Sequence, residues 1–180
     1  MKKFAILNVL IAVILCSCTH NKKEIGEVTS LEQLLTDTEE LLHSVDTTKV
    51  FPVAKSIEKD LKYIQLNYKD TMDKSLAIKL NTYHSNRKAL LYFVRNYKTF
   101  LEEIAFSKKQ LTDLKEDLKN NTLDMTKYPD YYKNEQTAIV NLNNNISRAV
   151  EGVNVTLPNI DKVKPTIDSL LNVLKNNSGV

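Results

Sequence analysis

The sequence is poor in the residues that build tight turns, disulfides and metal sites. Its 180 residues include 2 Cys, 3 Gly, 4 Pro and no Trp. Glycine and proline are too scarce for the many turns of a β-sandwich or barrel. The formal net charge is only +3, and no block of Lys and Arg suggests contact with DNA or RNA. The composition therefore favours an all-α protein that does not bind nucleic acid.

The N-terminus has the layout of an export signal that ends in cysteine. Lys2 and Lys3 make the start basic, and the apolar run from 4 to 15 is shorter than the roughly 20 residues needed to span a bilayer. Leu15-Cys16-Ser17-Cys18 then resembles the lipobox of bacterial lipoprotein precursors. The resemblance covers residues 1 to 18 and implies that residues 1 to 17 are removed and that Cys18 is acylated, for example with palmitate.

Cys18 is the better acceptor because small Ser17 precedes it, whereas bulky Leu15 precedes Cys16. The alternative is an ordinary secretory signal that leaves Cys18 as a free thiol. Two or more acyl chains hold a protein durably at a membrane. Since Thr19 is not acidic, the lipoprotein pattern implies the outer membrane, facing the periplasm or exposed at the surface.

The mature chain is expected to comprise the lipidated Cys18 with a flexible tether over residues 18 to 28, followed by a single all-helical domain over 29 to 176. A first helix is predicted from about 30 to 45, with Ser30 as its N-cap. A second runs from about 49 to 69. Asp70 or Thr71 could start the third helix, with one continuous helix as the alternative.

Two long apolar stripes follow. The first extends over residues 73 to 119 in steps of three and four, with Arg87, Lys108 and Lys115 as its only charged members. The second begins near Tyr128 and continues to about 174, either as one kinked helix or as two collinear helices. The pattern predicts an elongated helical bundle built on a long antiparallel hairpin, with the shorter N-terminal helices packed on part of it. A thin two-helix tip is expected around 107 to 119.

No catalytic or metal-binding pattern stands out, and no cofactor is predicted. Glu40 and His43 have the spacing of one di-iron half-site, but no second pair accompanies them. His84, beside Tyr83, is expected to be buried in the bundle. The sequence therefore predicts no enzyme, with a ligand pocket near His84 and Tyr83 as the alternative.

Aromatic residues gather at the predicted hairpin turn. The candidate protein-contact residues are Met125, Tyr128, Tyr131 and Tyr132. Tyrosine combines a rigid contact surface with a polar hydroxyl, which suits binding. The alternative is that these rings close the end of the hairpin core.

The function predicted from the sequence is that of a membrane-anchored cell-envelope lipoprotein acting as a helical interaction or structural module. Its partner would be a protein or a cell-wall polymer away from the membrane. The alternatives are a ligand-binding or enzymatic bundle, and a protective lipoprotein that inhibits a toxin or a lytic enzyme.

Overall fold

A computed structural model describes residues 21–177, which form helices and no strand. The helices are α1 (Lys22–His43), α2 (Thr47–Asn67), α3 (Lys74–Asn120) and α4 (Tyr128–Asn177). The predicted all-α class is therefore confirmed. The lipobox, Cys18 and Thr19 lie outside the described residues.

Helix α1 begins earlier than the sequence pattern predicted. Residues 22 to 28, expected to belong to a flexible tether, are helical, and Val28 is completely buried. Ser30 is not an N-cap, because its hydroxyl donates to the carbonyl of Gly26 one turn earlier. The ion pair of Lys23 with Glu27 supports this first part of the helix. Burial of Val28 stabilises a segment whose polar sequence alone indicates no helix.

Aspartate side chains set the starts of α2 and α3. Asp46 accepts hydrogen bonds from the backbone amides of Thr48 and Lys49, and the Thr48 hydroxyl is the main cause that lowers the pKa of this carboxyl. Asp73 accepts from the amides of Ser75 and Leu76 at 2.8 and 3.0 Å. Such caps satisfy amides that have no partner within the helix. The second and third helices are thus separate, and the third is capped by Asp73 rather than started by Asp70 or Thr71.

Helix α4 is a single helix that includes Pro158 and Pro165. A proline inside a helix removes one backbone hydrogen bond and crowds the preceding turn. Here the buried stripe continues past both prolines with Ile160, Val163 and Ile167. Packing of that stripe outweighs the local cost, which decides the return arm in favour of one helix.

The chain divides into two compact units. The first comprises the chain up to Thr36 together with Ile104–Asn141, and the second comprises Asp37–Glu103 together with the chain from Leu142 onward. In the first unit Glu32 of α1 forms an ion pair with Lys115 of α3. The predicted two-helix tip at 107 to 119 is therefore wrong, because α1 supplies a third helical segment there.

In the second unit, α3 and α4 approach each other closely and run antiparallel. Lys79 donates to the Thr166 hydroxyl at 3.1 Å, and a Cβ placed on Gly152 would lie 3.3 Å from the Cβ of Ala89. The largest fully buried side chains of this unit include Ile57, Tyr83, Leu90, Phe93, Ile146 and Ile160. Between residues 21 and 177, no helix has both the length and the apolarity required to cross a membrane.

Candidate functional site

The tyrosines near the hairpin turn separate into core and surface. Tyr128 is only 7% exposed, and its hydroxyl donates to Glu27 at 2.8 Å. Burial, followed by this hydrogen bond, raises the pKa of Tyr128 well above its ordinary value. Half-buried Tyr132 stacks on it with ring centroids 5.8 Å apart. Tyr128 therefore closes the core of the first unit, as the alternative interpretation holds, and does not offer a free contact surface.

Other apolar side chains in this region remain open to solvent. Tyr131 is 45% exposed and Met125 is 37% exposed. Leu123 and Tyr131 line a groove of about 200 Å³. We refer to Leu123, Met125 and Tyr131 as the tip surface.

The groove beside the tip surface is acidic. Asp113, Asp117 and Glu135 all line it. Asp113 is paired with Lys109, and Asp117 accepts a hydrogen bond from the Thr122 hydroxyl. Burial raises the pKa of Glu135, because withdrawal from water disfavours the charged carboxylate. A cationic group brought to this groove would therefore be stabilised next to an apolar surface.

The hairpin turn lies against the start of α1. The Asn21 side-chain amide donates to the carbonyl of Leu118 at 3.0 Å and to the side-chain oxygen of Asn121 at 3.2 Å. Asn21 follows Cys18 by only three positions. Spacing along the chain could not predict this contact, because it joins residues about a hundred positions apart.

The described histidines occupy exposed positions. Both His43 and His84 are exposed, so the expected burial of His84 in the bundle is wrong. Tyr83 is fully buried, and its hydroxyl donates to Asp60. Adjacent positions on a helix point in different directions, which separates these two neighbours. Among residues 21 to 177, no group of three or more His, Cys, Asp or Glu side chains is arranged to hold a metal ion.

A larger groove of about 660 Å³ lies between α2 and α3 in the second unit. Its volume falls in the range of roughly 300 to 1,000 Å³ that is usual for small-molecule sites. Its apolar lining consists of Leu61, Ile64, Met72, Ala77 and Leu80. Its polar lining consists of Glu58, Lys62, Gln65, Tyr68, Asn81, His84 and Arg87. We call this site the α2–α3 groove.

Arg87 is the distinctive residue of the α2–α3 groove. Its side chain is half-buried, and its Nε is withdrawn from solvent without a hydrogen-bond partner. A buried donor without an acceptor costs about 1–3 kcal/mol, more when the group is charged. In the sequence, Arg87 stands out as one of the few charged members of a mainly apolar stripe. Spacing alone could not indicate that a groove lies beside it.

The tip surface and the α2–α3 groove belong to different compact units. Each can therefore be tested by substitutions that leave the other unchanged.

No protein-family model, curated protein or solved structure matches this chain.

Proposed function

We propose that this chain is a lipid-anchored helical interaction module of the bacterial cell envelope, which binds a partner protein through the tip surface. The supporting observation is that Tyr131 stays 45% exposed although nearby Tyr128 is buried. The Tyr131 ring is thus only partly packed against the first unit, and tyrosine is enriched where proteins bind each other.

The groove beside the tip surface indicates the chemistry of the partner. Its carboxylates, among them Glu135, favour a basic side chain, and its apolar members Leu114 and Leu123 favour an aliphatic or aromatic one. The partner surface is therefore expected to present Lys or Arg next to apolar residues. Pairing with a basic residue would offset the burial that raises the pKa of Glu135.

The contact of Asn21 with the hairpin turn changes where that partner would be met. Three residues span at most about 11 Å, so an acyl group on Cys18 would hold Asn21, and with it Asn121, near the membrane. The partner is then proposed to lie at the membrane surface. This differs from the sequence-based expectation of a tip that reaches away from the membrane.

Site-specific photocrosslinking in the native envelope tests the proposal. The variant Tyr131→benzoylphenylalanine should give a discrete protein adduct upon irradiation. Phe106→benzoylphenylalanine is the matched control, because Phe106 is also an exposed aromatic residue of the first unit, at 63% exposure, but does not line the groove. A single replacement is preferable to deletion of the hairpin turn, because removal of residues 120 to 132 would also remove buried Tyr128.

The outcomes separate the candidate partners. A protease-sensitive adduct at position 131 that is absent at position 106 supports a protein partner. An adduct that is released only by a wall-degrading muramidase would show that the partner is a cell-wall polymer and not a protein. Equal crosslinking at both positions, or none at position 131, would rule out the tip surface as the binding site.

A further inference from the structure

We infer that the α2–α3 groove binds a small anionic amphiphile, namely a molecule with one terminal oxyanion and an aliphatic body. The site lies wholly in the second unit, whereas the tip surface belongs to the first. It therefore adds a ligand to the proposed function and does not depend on acylation of Cys18.

The apolar side of the groove suits an aliphatic body. Leu61 and Ile64 of α2 line it together with Leu80 of α3, and Met72 and Ala77 complete this wall. Met is unbranched and adapts to ligands of different shape. Burial of an aliphatic chain against such a surface removes apolar area from water, which favours binding.

The charged side of the groove favours an anion. Lys62 and Arg87 provide two cationic side chains against the single carboxylate of Glu58. Glu58 also lies 3.9 Å from the guanidinium of Arg95, which further offsets its charge. The lining thus has an excess of positive charge next to its apolar wall.

Arg87 supplies the specific element of recognition. A guanidinium can donate two parallel hydrogen bonds to a carboxylate or a phosphate. The Nε–H of Arg87 has no acceptor in the ligand-free protein. Because Nε is closed off from solvent, the half-buried side chain has to change rotamer before a bound oxyanion can accept from Nε and from one terminal nitrogen. No hydrogen bond at Nε is lost in that change, and the bound oxyanion gives this donor a partner.

The chemistry argues against the other ligand classes. A cationic ligand would meet two like charges, and a purely apolar ligand would leave the Arg87 donor without a partner. A carboxylate and a phosphate monoester share the required oxyanion. The experiment therefore includes both.

The test uses the full chain as its host produces it, in lipid nanodiscs if it carries an acyl group and in buffer if it does not. Octanoate and octyl phosphate are titrated in turn, while NMR follows the ¹³C-labelled methyl groups of Leu61, Ile64 and Met72. At least one of the two anions should give saturable shifts of these methyl signals, and comparison of the two identifies the preferred headgroup. Octan-1-ol, which lacks the anion, and acetate, which lacks the chain, should each bind at least tenfold more weakly.

Variants then locate the headgroup. Arg87→Leu should weaken binding of the preferred anion at least tenfold, and Arg87→Lys should give an intermediate loss because it keeps the charge without the fork. Arg148→Leu is the charge-matched control, because Arg148 is exposed and hydrogen-bonded within α4, outside this groove. It should bind like the unmodified protein.

A second substitution tests the apolar wall without altering Arg87. Ala77→Phe should fill part of the groove and weaken binding while the helical circular dichroism signal stays unchanged. The inference is overturned if neither anion shifts the groove methyl signals. It is also overturned if Arg87→Leu, with its helical signal intact, binds the anions as tightly as Arg148→Leu does.

Discussion

The Tyr83 hydroxyl donates a 2.8 Å hydrogen bond to the Asp60 carboxylate and so joins α3 to α2 within the second unit. The same carboxylate oxygen accepts from Ser56 at 3.1 Å and lies 3.6 Å from the Lys164 ammonium of α4. Only 14% of the Asp60 side chain is exposed. One carboxylate therefore connects three helices.

Removal of the Tyr83 hydroxyl should destabilise the protein. We expect Tyr83→Phe to lower the free energy of unfolding by about 1–3 kcal/mol, because a largely buried charge loses one of its donors. Urea denaturation followed by circular dichroism measures this change. Tyr92→Phe is the control, since Tyr92 is 44% exposed, and it should stay within about 0.5 kcal/mol of the unmodified protein. Equal effects of the two variants would contradict the role of the Tyr83 hydrogen bond.

Alkaline pH should lower the free energy of unfolding through Tyr83, because the unfolded tyrosine ionises at a lower pH than the buried one. Burial, followed by the hydrogen bond to Asp60, raises the pKa of Tyr83 well above the value of 10.0 for a free tyrosine. Because the folded pKa lies above the unfolded one, this contribution is fully present below about pH 10 and is lost as the pH rises further. Unfolding free energies measured from pH 8 to 11 should fall less steeply above pH 10 in Tyr83→Phe. A slope identical to that of the unmodified protein would refute the prediction.

The sequence predicted the helices whose stripes are long and regular. Leu111 and Leu118 of α3 lie seven residues apart, as do Ile139 and Ile146 of α4, and all four are completely buried. Such periodicity reports directly which face of a helix meets the core. Fold class and the main core of both long arms could therefore be derived from spacing alone.

The features that spacing missed depend on contacts distant in the sequence. The first turns of α1 look polar, and it is the packing of Val28, the hydrogen bond from Tyr128 to Glu27 and the hydrogen bonds of Asn21 that place them in the structure. The α2–α3 groove is equally non-local, because Arg87 belongs to a core-like stripe but lies where two helices leave space between them. Sequence identified Tyr131 as a candidate but could not separate it from buried Tyr128.

The glycines of α1 and α4 should respond differently to substitution by alanine. Gly26 is exposed with open space around its Cα, so Gly26→Ala should stabilise the protein by about 0.5–1 kcal/mol through helix propensity. Gly152→Ala gains the same propensity but brings a methyl group to 3.3 Å from Ala89. Its gain in the urea midpoint should therefore be smaller or reversed. Equal stabilisation by both substitutions would show that α3 and α4 can move apart at this contact without a cost in stability.

The proposed acylation at the N-terminus has two nearby cysteines as candidate acceptors. Ser17 before Cys18 fits the small residue of a lipobox, whereas Leu15 before Cys16 does not. We therefore expect Cys18→Ser to abolish incorporation of labelled palmitate and to release the protein from isolated membranes. Cys16→Ser, the matched control two positions away, should retain both label and membrane association.

Mass spectrometry of the membrane fraction adds an independent measurement, because acylation at Cys18 requires loss of residues 1 to 17 together with the added lipid mass. Label that persists in Cys18→Ser but disappears in Cys16→Ser would move the anchor to Cys16. Membrane association that persists without label in Cys18→Ser would leave the tip surface or another face as the attachment. Asn21 joins the start of α1 to the hairpin turn. The crosslink from position 131 should therefore form in membranes that contain the chain with Cys18, and it should be lost when Cys18→Ser is combined with the same crosslinker.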